Sequence, residues 1–334
     1  MKSIDEGPRA VDSALWSGFL AGQRLACARL ISLVENDPAS VPEIRDRLIP
    51  LQKGAIRVGI TGPPGVGKST VTASLARRSL KAGHAVGIIA VDPSSPFTGG
   101  AFLGDRVRMQ TTLDDDRVFI RSLASREGRG GLSPATPHVA DVFDAFGMDR
   151  ILIETVGVGQ TELDVLDCAD LVILVLQPST GDVIQALKAG IFEIGDLFLV
   201  NKADLPGTES LLESLRFLFD ISARRDGAAP PPVLAASALK EQGMDEVHAE
   251  LERRIADLVA SGRLAEKKRR RLEREIRDSI RECLWERFAA LADGKSDIPA
   301  LAAELARSGR SPYPLIREIC RGITLGVREQ TARR

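Results

Sequence analysis

Residues 55–69, AIRVGITGPPGVGKS, constrain the fold of this chain more than any other stretch. A short β-rich apolar run ends in glycines, and a helix-period segment over 68–82 follows at once. Strand, glycine turn and helix start, in that order, give G-x-x-x-x-G-K-[ST] the context that makes it convincing as a phosphate-cradling loop. Gly62, Pro63, Pro64, Gly65, Val66 and Gly67 form the turn. Their backbone N–H groups are expected to curl around a β-phosphate, and the helix N-terminus adds positive partial charge. Lys68 is expected to reach the β- and γ-phosphates as a point charge. Ser69 offers its hydroxyl to Mg2+, and Thr70 completes the phosphate-binding set.

The rest of the chain supplies a sheet to carry that loop. HAVGIIAVD (84–92), RVFIRSL (117–123), RILIETV (150–156), DLVILVLQ (170–177), DLFLVNK (196–202) and PPVLAAS (231–237) resemble the run at 55–62, and helix-period segments such as 68–82, 138–147 and 209–222 separate most of them. Buried parallel strands read as continuous apolar runs, and alternation with helices marks βαβ units. The expected fold is an open, mostly parallel α/β sheet with helices on both faces. Helical spacing over 11–35 (Leu15, Phe19, Leu25, Leu30, Leu33) and a second helix over 38–52 precede it. A helix over 243–261 follows, and from 264 a long amphipathic pattern carries Leu272, Ile276, Ile280, Leu284, Phe288 and Leu291, with two shorter helices after DGKSD at 293–297. The division expected is a helical extension over 1–53, a core domain over 54–261 and a helical extension over 262–334. The basic run KKRRRLER at 267–274 reads as the wet face of a helix, because acids at 266, 273 and 275 interleave with it. The apolar stripe calls for burial, on the chain's own core or in a subunit interface.

NKAD at 201–204 follows an apolar strand, and Ser237–Ala238 follow VLAA. A carboxylate beyond a strand can accept from guanine N1–H and the 2-amino group, a donor pair that adenine lacks, so such a site rejects the wrong base. Asp204 takes that role, Asn201 braces the loops, and the Lys202 stem lies on the base. The backbone of Ser237 and Ala238 approaches the O6 edge, with Leu239 next in the loop. Four residues recur by chance; their place after a late strand is what raises the motif above a solvated turn.

Between the two sites lie acids. Asp92 ends the run AVGIIAVD, Asp105 closes the loop PSSPFTGGAFLGD, and Glu154 ends RILIE. Ligands of open α/β sheets bind at the carboxyl ends of strands, and Mg2+ prefers oxygen, often with one or two carboxylates and several waters. Glu154 or Asp92 could hold such a water; the alternative for Asp105 is the N-cap of a helix from Arg106, and one residue can serve both roles. Gly157 is expected to place a backbone N–H on a γ-phosphate, which makes IETVGVGQ (153–160) a switch segment ordered by nucleotide. The acid there is Glu rather than Asp, and Val158 stands where a water-orienting Gln is common. Gln160 is the nearest amide.

Composition excludes several classes. A net charge of −1 gives no bulk attraction to nucleic acid or acidic membranes, and 4% aromatic residues leave little for base stacking. Cysteines at 27, 168, 283 and 320 have neither metal-ligand spacing nor a disulfide framework and read as buried thiols. MKSIDEGPRA is neither an apolar secretory signal nor a transit peptide, and LVILVL and FEIGDLFLV are too short to span a bilayer. A cytoplasmic protein is expected.

Taken together, GPPGVGKST, VDPSSPFTGGAFLGDRVRM, IETVGVGQTE, QPSTGDVIQALKAGIFEIGD and NKAD resemble the MeaB/ArgK family, to which the methylmalonic aciduria type A protein belongs. The resemblance covers roughly residues 10–325. It implies a P-loop GTPase of the SIMIBI class that forms homodimers. It also implies a chaperone that couples GTP binding and hydrolysis to cofactor loading and protection of an adenosylcobalamin-dependent acyl-CoA mutase. On the same resemblance Asp92, Asp105 and Glu154 are the Mg2+-site and catalytic acids. The segment 177–188 is an extra switch in which Asp182, Gln185 and Lys188 stand between nucleotide and partner, Lys188 also serving catalysis. From the residues alone, PSTGD at 178–182 is a plain turn and Lys188 a solvated helix residue. After Ser237–Ala238 the chain reads LKEQGMDE, where relatives more often carry a short glycine-containing turn.

Two other classes share this fold. A metallochaperone GTPase needs thiolates or imidazoles for its cargo, whereas this chain has three scattered histidines, at 84, 138 and 248, and no CxC or CxxC. A targeting GTPase of the signal-recognition kind calls for a Met-rich or basic RNA-binding domain, and only four Met are present.

Overall fold

The structure, a computed structural model, describes residues 11–93, 115–125, 132–155, 165–178, 195–226, 230–291 and 298–317. Of the residues singled out above, Asp105, Gly157, Val158, Gln160, Asp182, Gln185 and Lys188 lie outside these ranges, and for Asp92 the backbone alone is described. The chain divides into two compact units between Ala265 and Glu266.

The first unit is built on seven strands: β1 (Ile56–Thr61), β2 (Val86–Pro93), β3 (Val118–Ser125), β4 (Arg150–Glu154), β5 (Leu171–Leu176), β6 (Leu197–Val200) and β7 (Val233–Ala235). Their order across the sheet is β3-β2-β4-β1-β5-β6-β7, and every pairing is parallel. All seven carboxyl ends therefore share one edge, with β1 near the middle. Both faces are covered, which is why the strands read as unbroken apolar runs.

One face packs under α4 (Lys68–Lys81) and α7 (Met244–Ala260). Val71, Leu75 and Leu80 of the first and Val247, Leu251 and Ile255 of the second meet Val58, Ile60, Ile88, Leu152, Ile173 and Leu199. The opposite face carries α1 (Ser13–Leu20), α2 (Arg24–Asn36), α3 (Val41–Leu48) and α5 (Thr136–Phe146). These N-terminal helices share one core with the sheet: Leu30, Ile31 and Ile44 pack with Ile89, Phe143, Ile151 and Ile153. A further helix of this unit, α6 (Thr208–Asp226), lays Leu211, Leu215 and Phe219 over Leu174, Phe198 and Val200.

The periodic run over 11–35 is two helices rather than one. Asp12 caps α1 by accepting from Ala14 N–H at 3.0 Å, and Gly22 at φ +74° turns the chain before α2. The apolar period continues across the turn, so spacing alone hides it.

Two polar devices tie the N-terminal helices to the sheet. Asp144, buried, accepts from the N–H groups of Lys53, Gly54 and Ala55 at 2.8, 2.9 and 3.1 Å, which fixes the chain as it enters β1. Asp141 on α5 takes Arg57 of β1 at 2.7 Å and Arg45 of α3 at 3.0 Å, with Gln52 Nε2 donating at 3.0 Å. Burial works against the charge of Asp141, but Arg57 and Arg45 outweigh it and hold the carboxyl below its ordinary value.

After α7 comes α8 (Arg263–Leu291), 29 residues long, and α9 (Ile298–Ser308) follows in the second unit. On α8 the pairs Arg269–Glu273 and Arg270–Glu266 lie at i,i+4 spacing, which sets the basic run among its own acids. Leu272, Ile276, Ile280 and Leu284 remain 51–54% exposed. Among the described residues no helix is long and apolar enough to cross a membrane.

Candidate functional site

The loop from Gly62 to Gly67 leaves the carboxyl end of β1 and enters α4 at the centre of the sheet edge. Its shape demands glycine at both ends. Gly62 sits at φ +142°, where a Cβ would lie 2.1 Å from the Val175 carbonyl oxygen. Gly67, at φ +94°, is the N-cap of α4, and a Cβ there would meet Asn201 Nδ2 at 2.5 Å. The N-terminus of α4, with the positive end of its helix dipole, thus faces the loop. Lys68 is buried and folds back over the loop: its Nζ donates to the carbonyls of Gly62 at 2.9 Å and Pro63 at 3.0 Å. A cation held across an anion-binding turn is placed to follow a phosphate that displaces those carbonyls.

Glu154 ends β4 beside β1, in register with Ile60. The Ser69 hydroxyl donates to its Oε1 at 2.5 Å, so two residues 85 apart in sequence meet at the start of α4. Glu154 is 7% exposed. A hydroxyl and a carboxylate, both hard oxygen donors beside a phosphate loop, suit Mg2+, which takes few protein ligands and keeps waters and phosphate oxygens. Asp92 lies on β2, two residues beyond Ala90, which is in register with Glu154. Thr155, just past β4, donates its N–H to Ile60 O at 3.1 Å, and its hydroxyl donates to Thr61 Oγ1 at 2.9 Å. This buried pair pins the ends of β1 and β4 together under the loop. Thr61 precedes the phosphate loop and Thr155 falls at a variable position inside IETVGVGQ, so no spacing rule marks the pair.

The second half of the edge belongs to β6 and β7. Asn201, 2% exposed, donates through Nδ2 to Val66 O at 2.7 Å and accepts from Ala238 N–H at 3.0 Å through Oδ1. One amide thereby joins the phosphate loop to the loop after β7. Lys202, at φ +57°, stretches its Nζ to the Gly65 carbonyl at 2.7 Å, so its stem reaches from the end of β6 to the phosphate loop. The Asp204 carboxylate is held by the Ser237 side chain and by Lys240, whose Nζ lies 3.0 Å from Oδ2. The Ser237 hydrogen bond, then Lys240, keep its carboxyl below the ordinary Asp value, so it is a fixed acceptor. Lys240 was not among the residues expected from the sequence; its position three after Ser237 is the signal that could have found it.

The loop after β7 is a compact ring. Ser237 N–H donates to Gln242 O at 2.9 Å, Gln242 N–H to Ser237 O at 3.2 Å, and Lys240 N–H to Ser237 O at 3.1 Å, which closes a turn with Ala238 and Leu239 at its tip. Because Ala238 N–H is given to Asn201, the tip donor left over is the Leu239 N–H, which makes none of the described hydrogen bonds. The Leu239 side chain is 86% exposed. Pro63, Pro64 and Thr70 lie on the same loop and first helical turn as Lys68 and Ser69. The structure therefore gathers residues 62–70, Glu154, Asn201, Lys202, Asp204 and Ser237–Leu239 at one sheet edge, with the backbone of Asp92 at the end of β2.

Residues 27–293 match the family described as methylmalonyl Co-A mutase-associated GTPase MeaB. A relative from Pyrococcus abyssi, named as a GTPase, is 47% identical over 78% of this chain and 81% of its own length. The mitochondrial methylmalonic aciduria type A homolog of Mus musculus is 32% identical over 92% of this chain and 78% of its own. The GTPase ArgK of Escherichia coli is 36% identical over 73% and 76%. Among solved structures, an LAO/AO transport system kinase superposes with a TM-score of 0.70 and 25% identity, covering 94% of this chain and 99% of that one.

Proposed function

The chain belongs to the MeaB family of P-loop GTPases, and from that premise we propose that its GTPase cycle serves an adenosylcobalamin-dependent acyl-CoA mutase, assisting cofactor loading and protection. The observation that carries the chemical half of this reading is the 2.5 Å contact between Ser69 and Glu154 at the mouth of the phosphate loop. Support for the partner comes from the family's description and from the similarity to the methylmalonic aciduria type A homolog.

In this reading GTP lies along the sheet edge. N–H groups of residues 62–70 and the N-terminus of α4 bind the phosphates, and Lys68 leaves the Gly62 and Pro63 carbonyls to neutralise their charge. Ser69 and Glu154 would hold Mg2+, with Asp92 and Asp105 as the further acids of that site. When bound, Mg2+ supplies electrostatic stabilisation of the developing phosphate charge. Asp204 accepts from the guanine N1–H and 2-amino groups, the Lys202 stem covers one face of the base, and the Ser237–Leu239 turn offers N–H to O6. Gly157 binds the γ-phosphate. Val158 cannot orient water, so turnover is slow for the protein alone. Partner contact through Asp182, Gln185 and Lys188, or through Gln160, completes the site.

Residues 1–53 form the N-terminal extension, 54–261 the GTPase domain and 262–334 a dimerisation extension. The half-exposed stripe on α8 supports the last assignment, because an amphipathic face gains its stability from being covered. The reading is tested by measuring GTP turnover with and without such a mutase; faster turnover or a stable complex supports it, and the absence of both contradicts it.

A further inference from the structure

Glu241 belongs to no motif, yet it is one of the most heavily anchored residues on the sheet edge. It stands at φ +57°, a backbone conformation that residues with side chains seldom take. Its carboxylate reaches α4, the helix that begins in the phosphate loop. Ser74 Oγ, from a fully buried serine, donates to Oε2 at 2.8 Å; Arg78 donates to the same oxygen and Arg77 to Oε1. Arg78 also donates to Ser74 Oγ at 2.7 Å and to Asp245 Oδ1 at 2.8 Å, in the first turn of α7. Ser74, Arg77 and Arg78 fall at i, i+3 and i+4, so they present one face of α4 to Glu241. Burial works against the Glu241 charge, and hydrogen bonds from Arg78, Ser74 and Arg77 outweigh it, so the carboxyl sits below its ordinary value.

This anchor has a geometric consequence. Residues 237–242 form a ring closed by the Ser237–Gln242 bridge, and Glu241 is the ring member that grips α4. Gly243 follows at φ +74°, where a Cβ would come within 2.7 Å of the Ala235 carbonyl oxygen, so the ring is seated tightly against the end of β7. Asn201 ties the same ring to the phosphate loop from the other side. Two independent straps therefore fix the tip N–H of Leu239 relative to the phosphate helix, which is the relation a nucleotide's base and phosphates must match.

We propose that Glu241 is a positioning residue of the base subsite: gripping Ser74, Arg77 and Arg78, it sets the 237–242 ring so that its tip N–H meets the O6 edge of a guanine. The proposal rests on the guanine reading of this edge given above. It assigns Glu241 to O6 and leaves recognition of N1–H and the 2-amino group to Asp204.

Three nucleotides separate these roles. 2-Aminopurine riboside triphosphate lacks O6 and with it the N1–H, inosine triphosphate keeps both and lacks only the 2-amino group, so it reports Asp204 by itself, and GTP has all three. Binding of each is measured by calorimetry on the full chain, for the natural protein and for Glu241→Gly, which removes the carboxylate while relaxing the left-handed backbone so that folding is spared. The expected result is a loss of about tenfold in the preference for GTP over the 2-aminopurine nucleotide, with the preference for GTP over inosine triphosphate unchanged. Ser74→Ala and Arg77→Ala should move the same ratio in the same direction by less. Equal weakening of all three nucleotides, or an unmoved GTP to 2-aminopurine ratio in a folded Glu241→Gly protein, would overturn the proposal. A natural protein with no preference for GTP over the 2-aminopurine nucleotide would overturn the O6 reading itself, and that failure shows before any variant is made.

Discussion

Lys68 shows how much a single side chain carries here. The residue is 7% exposed and its ammonium rests on two loop carbonyls, so its charge is already held in the protein where a γ-phosphate would arrive. Preorganised charge of this kind acts strongly because little rearrangement is needed during the reaction. Lys68→Ala is therefore expected to lower kcat/KM for GTP by about 10²–10³-fold. Turnover of radiolabelled GTP by the purified variant measures this, and an unaltered rate would contradict the phosphate-site assignment. The residue scale is also where the sequence was least complete. GPPGVGKS was legible because all its members are neighbours in the chain. The Thr61–Thr155 hydroxyl pair, the Lys240–Asp204 ion pair and the Glu241 anchor were not. Glu241 and Arg77 are 164 residues apart, and no local pattern announces a partner at that distance.

Elements were read more fully, and for a physical reason. Strands buried on both faces must be apolar throughout, so all seven were visible as runs, and their parallel order follows from the helices between them. Lost were the places where the periodicity continues through a change of direction, as at Gly22 between α1 and α2. The long pattern after 264 was visible as one helix, and α8 fulfils it. Its stripe gives a prediction at this scale. Ile280, 54% exposed, lies midway along the row from Leu272 to Leu284. Ile280→Asp would place a charge in a desolvated helix interface and so split the proposed dimer. Sedimentation should find the natural chain as a dimer and the variant shifted toward monomer. A natural chain that sediments as a monomer would contradict the assignment of residues 262–334.

The first unit as a whole is stabilised by a charge arrangement far from the nucleotide edge. Arg57 and Asp141 are 6% and 9% exposed at their side chains, so neither can lose the other without leaving a charge in the interior. Asp141→Ala is expected to cost about 3–5 kcal/mol, chiefly because Arg57 is left buried without its carboxylate. Urea unfolding at neutral pH measures it. The pH dependence has two limbs with the same sign. His138 and His248 are held below their ordinary value of 6.5, in each case first by burial. As pH falls through that value the unfolded chain takes up protons before the folded one, and stability drops. Asp141 lies below its ordinary 3.8, so its contribution is complete above that pH and is lost as pH falls further. Stability should thus decline from about pH 6.5 and again below about pH 4. Asp141→Ala should remove much of the lower limb; an unchanged acid profile would contradict the role given to this cluster.

In the proposed function, what the molecule does as a unit rests on a link between its nucleotide edge and a mutase partner. The direct measurement is steady-state GTP turnover by the full chain, alone and with an adenosylcobalamin-dependent acyl-CoA mutase added, with the Lys68→Ala protein as the background in both cases. The proposed function predicts a slow intrinsic rate that rises when the mutase is present and forms a complex. It also predicts that the Lys68→Ala protein shows little of that activity. A rate that the mutase leaves unchanged, with no complex detected, would contradict it.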